Sequence, residues 1–212
     1  MDLINPKAQA YAEKHSRQED DLLNEIEVQT MRDHPKAHML SGALQGKFLE
    51  MISRLLNPMY ILEIGTFLGY STLCLAKGLK SGGEIHTIEI DGDTAAVAMT
   101  NFRKSKTSDK IILHTGNALE LINTLHYPWD LIFIDADKTG YADYYQSLVP
   151  KLKSGSLIMA DNVLFHGQVL EKEVTGKSAK AIRAFNEMIH SDERVEKIML
   201  TLRDGIYLIR KK

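Results

Sequence analysis

Leu62-Glu63-Ile64-Gly65-Thr66-Phe67-Leu68-Gly69-Tyr70-Ser71 is the stretch that decides the fold. A β-rich run over 60–64 leads into it, and a helical stretch carrying Leu73, Leu75, Ala76 and Leu79 leads out of it. A strand that breaks at glycine and resumes as helix reads as the first turn of a doubly wound sheet, where ligands bind at the carboxyl edge near the switch in strand order. A dinucleotide fingerprint, G-x-G-x-x-G, would need its second glycine at 67. That position is Phe67, whose side chain obstructs a pyrophosphate, so an NAD or FAD site is disfavoured. Glu63 would likewise repel a diphosphate, yet suits a cationic or amine-bearing ligand.

Downstream, short β-rich runs over 60–64, 84–90, 110–115, 130–135 and 156–160 alternate with helical stretches such as 93–105 and 141–152. Such alternation predicts a parallel sheet covered by helices. The tail departs from it: runs over 197–202 and 205–210 meet at Arg203-Asp204-Gly205, a hairpin signal that makes the last strand antiparallel. Upstream, residues 5–56 read as helix. A stretch over 16–32 has a capping box, Ser16 with Glu19, ahead of Leu22, Leu23, Ile26 and Met31. A second helix starts near Ser41, carries Leu44, Phe48, Leu49, Ile52, Leu55 and Leu56, and stops at Asn57-Pro58. The expectation is one α/β domain over 1–212, with a helical extension over 1–57 and a cofactor-binding sheet with its helices over 58–212.

Composition is ordinary for a globular protein: 212 residues, 44% hydrophobic, 25% charged, net charge -2. A domain of this size buries roughly 70% of its unfolded surface, so its core needs no disulfide or structural metal. Cys74 is the one cysteine, which rules out an internal disulfide and a paired-cysteine zinc site and points to the reducing cytoplasm. Neither a leader nor a membrane span is legible. The near-neutral balance argues against a general nucleic-acid binder, although a local basic patch stays open.

Glu89 ends the second strand, where an acid commonly takes the two hydroxyls of a ribose. A ribose without a pyrophosphate fits S-adenosylmethionine, a nucleoside bearing a sulfonium and an amino acid. After the third strand, Gly116-Asn117-Ala118 forms a turn suited to closing over an adenine ring. Each feature is weak alone; their order at successive strand ends carries the reading. Leu131-Ile132-Phe133-Ile134 runs into Asp135-Ala136-Asp137-Lys138, and Leu157-Ile158-Met159-Ala160 runs into Asp161-Asn162. Both runs are too apolar for edge strands, so Asp135, Asp161 and Asn162 converge on one rim. Three oxygen donors without His or Cys suit Mg²⁺, Mn²⁺ or Ca²⁺ rather than zinc. The plainer alternative makes Asp161-Asn162 a turn and Asp135 a helix cap. Against it, a bare aspartate on each of two adjacent central strands is costly unless positive charge lies between them. Lys138 is a candidate general base, its amine kept neutral by a nearby cation; the alternative is a surface lysine paired with Asp137 or Asp143. His166 lines an acceptor pocket or is an ordinary loop histidine. Phe165, Tyr141, Tyr144 and Tyr145 are wall or packing residues.

The glycine turn, the 133–138 and 160–164 segments and the terminal Asp204-Gly205 together resemble the cation-dependent O-methyltransferase family, which includes caffeoyl-coenzyme A and catechol O-methyltransferases. The likeness covers about residues 35–212. It implies a class I methyltransferase fold: a Rossmann-like, mostly parallel seven-stranded sheet with a reversed last strand. It implies metal ligation by Asp135, Asp161 and Asn162 and catalysis by Lys138 with Asp135. Cofactor positions would be Glu63, Gly65, Gly69 and Ser71 in the turn, Glu89 on the ribose, Asn117 and Ala118 on the adenine side, Asp135, and Met39 before the sheet. A homodimer is implied too. The reaction would be in-line methyl transfer to a catechol-like vicinal diol, with Lys138 taking the proton. A related group implies a different acceptor, hydroxylated uridine in tRNA, which would need a basic surface from Lys172, Lys177, Lys180, Arg183, Arg210, Lys211 and Lys212. The loop over 163–178 matches no single acceptor. An NAD-dependent oxidoreductase and a non-catalytic cofactor-binding module are the remaining rivals.

Overall fold

The protein is described from a computed structural model covering residues 4–16 and 20–212. Two helices, α1 (Pro6–Ser16) and α2 (Asp21–Asp33), precede the main layers. The predicted helix start at Ser16 is corrected: Ser16 closes α1, and Glu19 lies outside the described residues. Asp20 caps α2 instead, its carboxylate accepting the Leu23 N–H at 3.0 Å. Leu23, Ile26 and Thr30 form the buried stripe of α2. Helix α3 (Gly42–Leu56) buries Gln45, Gly46, Leu49 and Ser53 and ends at Asn57, whose left-handed φ of 47° turns the chain ahead of Pro58.

The strands are β1 (Tyr60–Ile64), β2 (Glu84–Glu89), β3 (Ile111–Thr115), β4 (Leu131–Ile134), β5 (Leu157–Asp161), β6 (Val195–Leu200) and β7 (Ile206–Lys211). Among the described residues they form one seven-stranded sheet in the order β3-β2-β1-β4-β5-β7-β6. All neighbours pair in parallel except β7, which is antiparallel to both β5 and β6. The expected doubly wound sheet with a reversed last strand is what the chain forms. The last hairpin is shifted from expectation: β6 ends at Leu200, so the connection is the five residues 201–205.

Side-chain alternation gives the sheet two buried faces. Leu62, Ile64, Ile132, Ile134, Ile158 and Ala160 point to one, covered by α6 (Ala118–Ile122), α7 (Tyr141–Leu148) and α8 (Lys177–Ser191). Ile61, Leu131, Phe133 and Met159 point to the other, covered by α2, α3, α4 (Tyr70–Ala76) and α5 (Gly92–Arg103). Helix α7 is shorter than predicted because Pro150, lacking an N–H, tightens the chain into a 3₁₀ turn over Val149–Lys151. No helix among the described residues is long and apolar enough to cross a membrane.

Candidate active site

Strand register assembles the site. Ile64 pairs with Ile88 on one side and Ile134 on the other, and Ile134 pairs with Ala160. The residues one step further, Glu89, Gly65, Asp135 and Asp161, therefore stand in a row along the carboxyl rim. Strand order reverses between β1 and β4, the position where doubly wound sheets bind ligands. A cleft of about 750 Å³ opens there, lined by Gly65, Phe67, Ser71, Glu89, Asn117, Ala118, Asp135, Lys138, Asp161 and Asn162 among others.

On the β1–β2 side, Gly65 has φ 102°, and a Cβ on it would lie 2.1 Å from the Asp135 carbonyl oxygen. Only glycine lets these two strand-end turns touch. Glu89 is held at two points: Oε2 accepts the Phe67 N–H at 2.8 Å and Oε1 accepts the Asp91 N–H at 3.1 Å. Asn117 caps α6, its Oδ1 accepting from Leu119 at 2.9 Å and Glu120 at 3.3 Å, so it offers the cleft its turn rather than a free amide oxygen. Met39 sits on the lip with His38 and Leu40. Two predicted cofactor residues are not on the wall. Gly69 packs away from the cleft, where a Cβ would meet the Phe102 ring at 2.3 Å.

Glu63 is the other. It is fully buried on the α4 side of β1, where Thr72 and Thr87 donate to its Oε2, Thr87 at 2.6 Å. Burial pushes its pKa up to about 7, against the lowering effect of hydrogen bonds from Ser71, Thr72 and Thr87, and the negative charge of Asp135 pushes the same way as burial. Its folded pKa lies above the unfolded one, so its favourable contribution is complete below about pH 4.5 and lost as pH rises through about 7. Above that range the ionised form costs about 3 kcal/mol. Glu63→Gln removes this cost, so its melting temperature should gain on wild type between pH 5 and pH 8, by roughly 2–4 °C per kcal/mol. A difference that stays constant with pH would show that Glu63 titrates as an ordinary carboxylate.

On the β4–β5 side, Asp161 is 3% exposed. Its Oδ2 accepts from Gln45 Nε2 at 2.8 Å, while Oδ1 is buried with no hydrogen-bond partner among the described residues. Burial first, then the charge on Asp135, pushes its pKa up. Asn162 takes the left-handed conformation, φ 56°, and its Nδ2 donates to Asp204 Oδ2 at 3.3 Å, leaving the oxygen end of the amide for a ligand. Lys138 Nζ donates to Asp135 Oδ1 and to the Tyr141 hydroxyl, both at 2.8 Å. Burial works against the Lys138 charge, but Tyr141 and Asp135 outweigh it and hold the amine well above its ordinary pKa. The protein groups alone therefore favour the protonated Lys138 amine; the neutral amine expected from sequence was one set beside a bound cation. Tyr141 lies beneath, its hydroxyl within reach of the Ile134 carbonyl at 3.2 Å and the Asp161 carbonyl at 3.0 Å, which ties the two strand ends together.

Among the described residues no three His, Cys, Asp or Glu side chains cluster as a metal site; the Asn162 amide lines the same cleft as Asp135 and Asp161 and offers a further oxygen beside them. Two carboxylates, one with a buried unpartnered oxygen, and an amide match a hard divalent cation that keeps open positions. Of the predicted aromatic wall, Tyr144 and Phe165 line the cleft with His166. Tyr141 and Tyr145 are core residues instead, with Tyr145 bonded to Asp192 at 2.8 Å.

A family described as O-methyltransferase matches residues 13–212. A catechol O-methyltransferase from Niastella koreensis is 36% identical over 162 residues, covering 74% of this chain and 73% of its own length. Caffeoyl-CoA O-methyltransferase 1 from Eucalyptus globulus is 34% identical over 189 residues, covering 84% and 77%. The solved SAH-bound methyltransferase PaMTH1 of Podospora anserina superposes with a TM-score of 0.90 at 30% identity, over 97% of this chain and 94% of that one. This chain belongs to the O-methyltransferase family.

In this O-methyltransferase, three residues that shape the site had no role assigned from sequence, although Asp204 stood in a motif that carried the resemblance. Asp204 anchors Asn162 and also accepts the His166 N–H at 2.6 Å, which accounts for the Asp204-Gly205 motif. Gln45 touches Asp161, and Arg203 touches Gln45. Gln45 stood among the apolar positions of a predicted helix and Arg203 in a predicted turn, with no local signal toward Asp161.

Proposed function

We propose that this O-methyltransferase moves the methyl group of S-adenosylmethionine to one hydroxyl of a small catechol-like diol, with a divalent cation held by Asp135, Asp161 and Asn162. The observation that carries the reading is the buried, unpartnered Asp161 Oδ1 beside Asp135, in the same cleft as the Gly65 turn and Glu89. The names of the catechol and caffeoyl-CoA relatives support the acceptor class.

Glu89, fixed by the Phe67 and Asp91 N–H groups, would bind the ribose, and the Ala118 turn and exposed Ile90 would flank the adenine. Bound S-adenosylmethionine supplies an electrophilic methyl, and a bound cation supplies charge that favours both an ionised acceptor hydroxyl and a neutral Lys138 amine. Lys138 Nζ, steered by Asp135 and Tyr141, takes the hydroxyl proton. Tyr144, Phe165 and His166 orient the aromatic acceptor and exclude water. The exposed Val28, Met31, Met51 and Leu55 of α2 and α3 suit the coverage that a homodimer would provide.

The test is methyl transfer from S-adenosylmethionine to caffeic acid with Mg²⁺ and with excess EDTA. Product that disappears with EDTA is expected; product formed equally in both sinks the cation role. No observation favours the RNA acceptor: Arg210 is paired with Glu196 at 3.0 Å, and Arg183 donates to the Glu171 carbonyl at 3.1 Å.

A further inference from the structure

We infer that Gln45 and Arg203 are positioning residues that aim Asp161 at the cation and tie the N-terminal lip of the cleft to it; the inference rests on the cation site proposed above. Asp161 is almost completely buried, so its immediate neighbours set the orientation of its carboxylate. One neighbour is Gln45, in the first turn of α3 and 1% exposed, whose Nε2 donates to Asp161 Oδ2 at 2.8 Å. An amide presents a donor at one end and an acceptor at the other, and the wrong end would set oxygen against carboxylate oxygen. Arg203 removes that ambiguity: its Nη1 donates to Gln45 Oε1 at 2.7 Å, so only the Nε2 end can face Asp161. Oδ2 is thereby occupied, and Oδ1 is the oxygen left for a ligand.

The choice of a neutral link has a chemical consequence. An arginine placed directly on Asp161 would neutralise the carboxylate as an ion pair and compete with a cation for it. Gln45 passes on the orientation set by Arg203 without adding charge at Asp161. Arg203 is itself held in place, since its guanidinium also donates to the Ser41 carbonyl and, at 3.1 Å, to the Leu40 carbonyl. Leu40 and Ser41 line the cleft beside Met39. The backbone of Arg203 is left-handed, φ 50°, which a residue with a Cβ adopts at a cost. The three hydrogen-bonded partners hold it there, and the 201–205 connection, the α3 lip and the end of β5 become one unit.

The test measures two affinities on the full chain without turnover: Mn²⁺ by electron paramagnetic resonance of the free ion, and SAH by calorimetry. Gln45→Met removes the link to Asp161 but leaves Arg203 on the Leu40 and Ser41 carbonyls. It should weaken Mn²⁺ by about 10- to 100-fold, with SAH affinity within about twofold of wild type. Arg203→Met releases both the amide and the lip, so it should weaken Mn²⁺ and SAH together. Mn²⁺ affinity unchanged in Gln45→Met but lost in Asp161→Ala would overturn the relay and leave the cation site standing. Mn²⁺ bound equally by wild type and Asp161→Ala would overturn both. Equal losses of Mn²⁺ and SAH in Gln45→Met would show a general collapse and overturn selective positioning, and Arg203→Met with both affinities intact would overturn the lock on the lip.

Discussion

Asp161→Ala should lower kcat/KM for methyl transfer by about 10³-fold or more, since stabilising charge at the reacting oxygen is worth several kcal/mol and each 1.36 kcal/mol is a tenfold change in rate. The loss should persist at saturating Mg²⁺ and S-adenosylmethionine, because a ligand is missing rather than weakly filled. Asp161→Asn keeps the shape and the capacity to meet Gln45 but loses the charge, and should fall nearly as far. A rate within tenfold of wild type in the alanine variant would remove Asp161 from the mechanism. Stability of the cation-free protein should move the other way. Burial and Asp135 raise the folded pKa of Asp161, so its favourable contribution is present at low pH and lost as pH rises through that pKa. Asp161→Asn should therefore melt higher than wild type at pH 8 in EDTA, with the gap closing toward pH 4. Both results together would mean that activity is obtained at the expense of stability.

Lys138→Met should reduce kcat by about 10²- to 10⁴-fold, the range for loss of a positioned general base. SAH affinity should change little, because Glu89 and the Gly65 turn, the groups proposed to hold the ribose side, are tied to Phe67 and the Asp135 backbone rather than to Lys138. The pH profile separates a proton acceptor from a packing residue. Tyr141 and Asp135 favour the charged amine, so the wild-type rate should rise with pH as Nζ loses its proton. The methionine variant should lack that limb. A variant that keeps the same pH dependence at a uniformly lower rate would make Lys138 a structural partner of Asp135 rather than a base.

Most of the architecture was legible because its causes are local. Four consecutive apolar residues in β4 and the Leu157–Asp161 run mark buried central strands, and polar residues at strand ends mark the rim. Boundaries slipped where a distant contact or a single residue intervened. Ser16 resembles an N-cap, yet Asp20 does the capping. The predicted strand over 197–202 stops at Leu200, and Arg203 in the following connection reaches the Leu40 and Ser41 carbonyls.

The sequence by itself determined the doubly wound sheet, the reversed last strand and the convergence of Asp135, Asp161 and Asn162, because side-chain period and residue type at strand ends act over a few residues. Only the tertiary structure decided how each of those groups is held. Glu63 looks like a ligand of the glycine turn but faces α4, since the pleat sends alternate residues to opposite faces of the sheet, and Gly69, at the start of α4, packs against Phe102. Tyr141 and Tyr144, three residues apart, share the buried face of one short helix, yet only Tyr144 lines the cleft, while Tyr141 lies beneath it on the ends of β4 and β5. The contact of Gln45 with Asp161 spans 116 positions and that of Arg203 with Gln45 spans 158. No local pattern encodes such a contact; it exists only once α3, the last hairpin and the end of β5 have packed together.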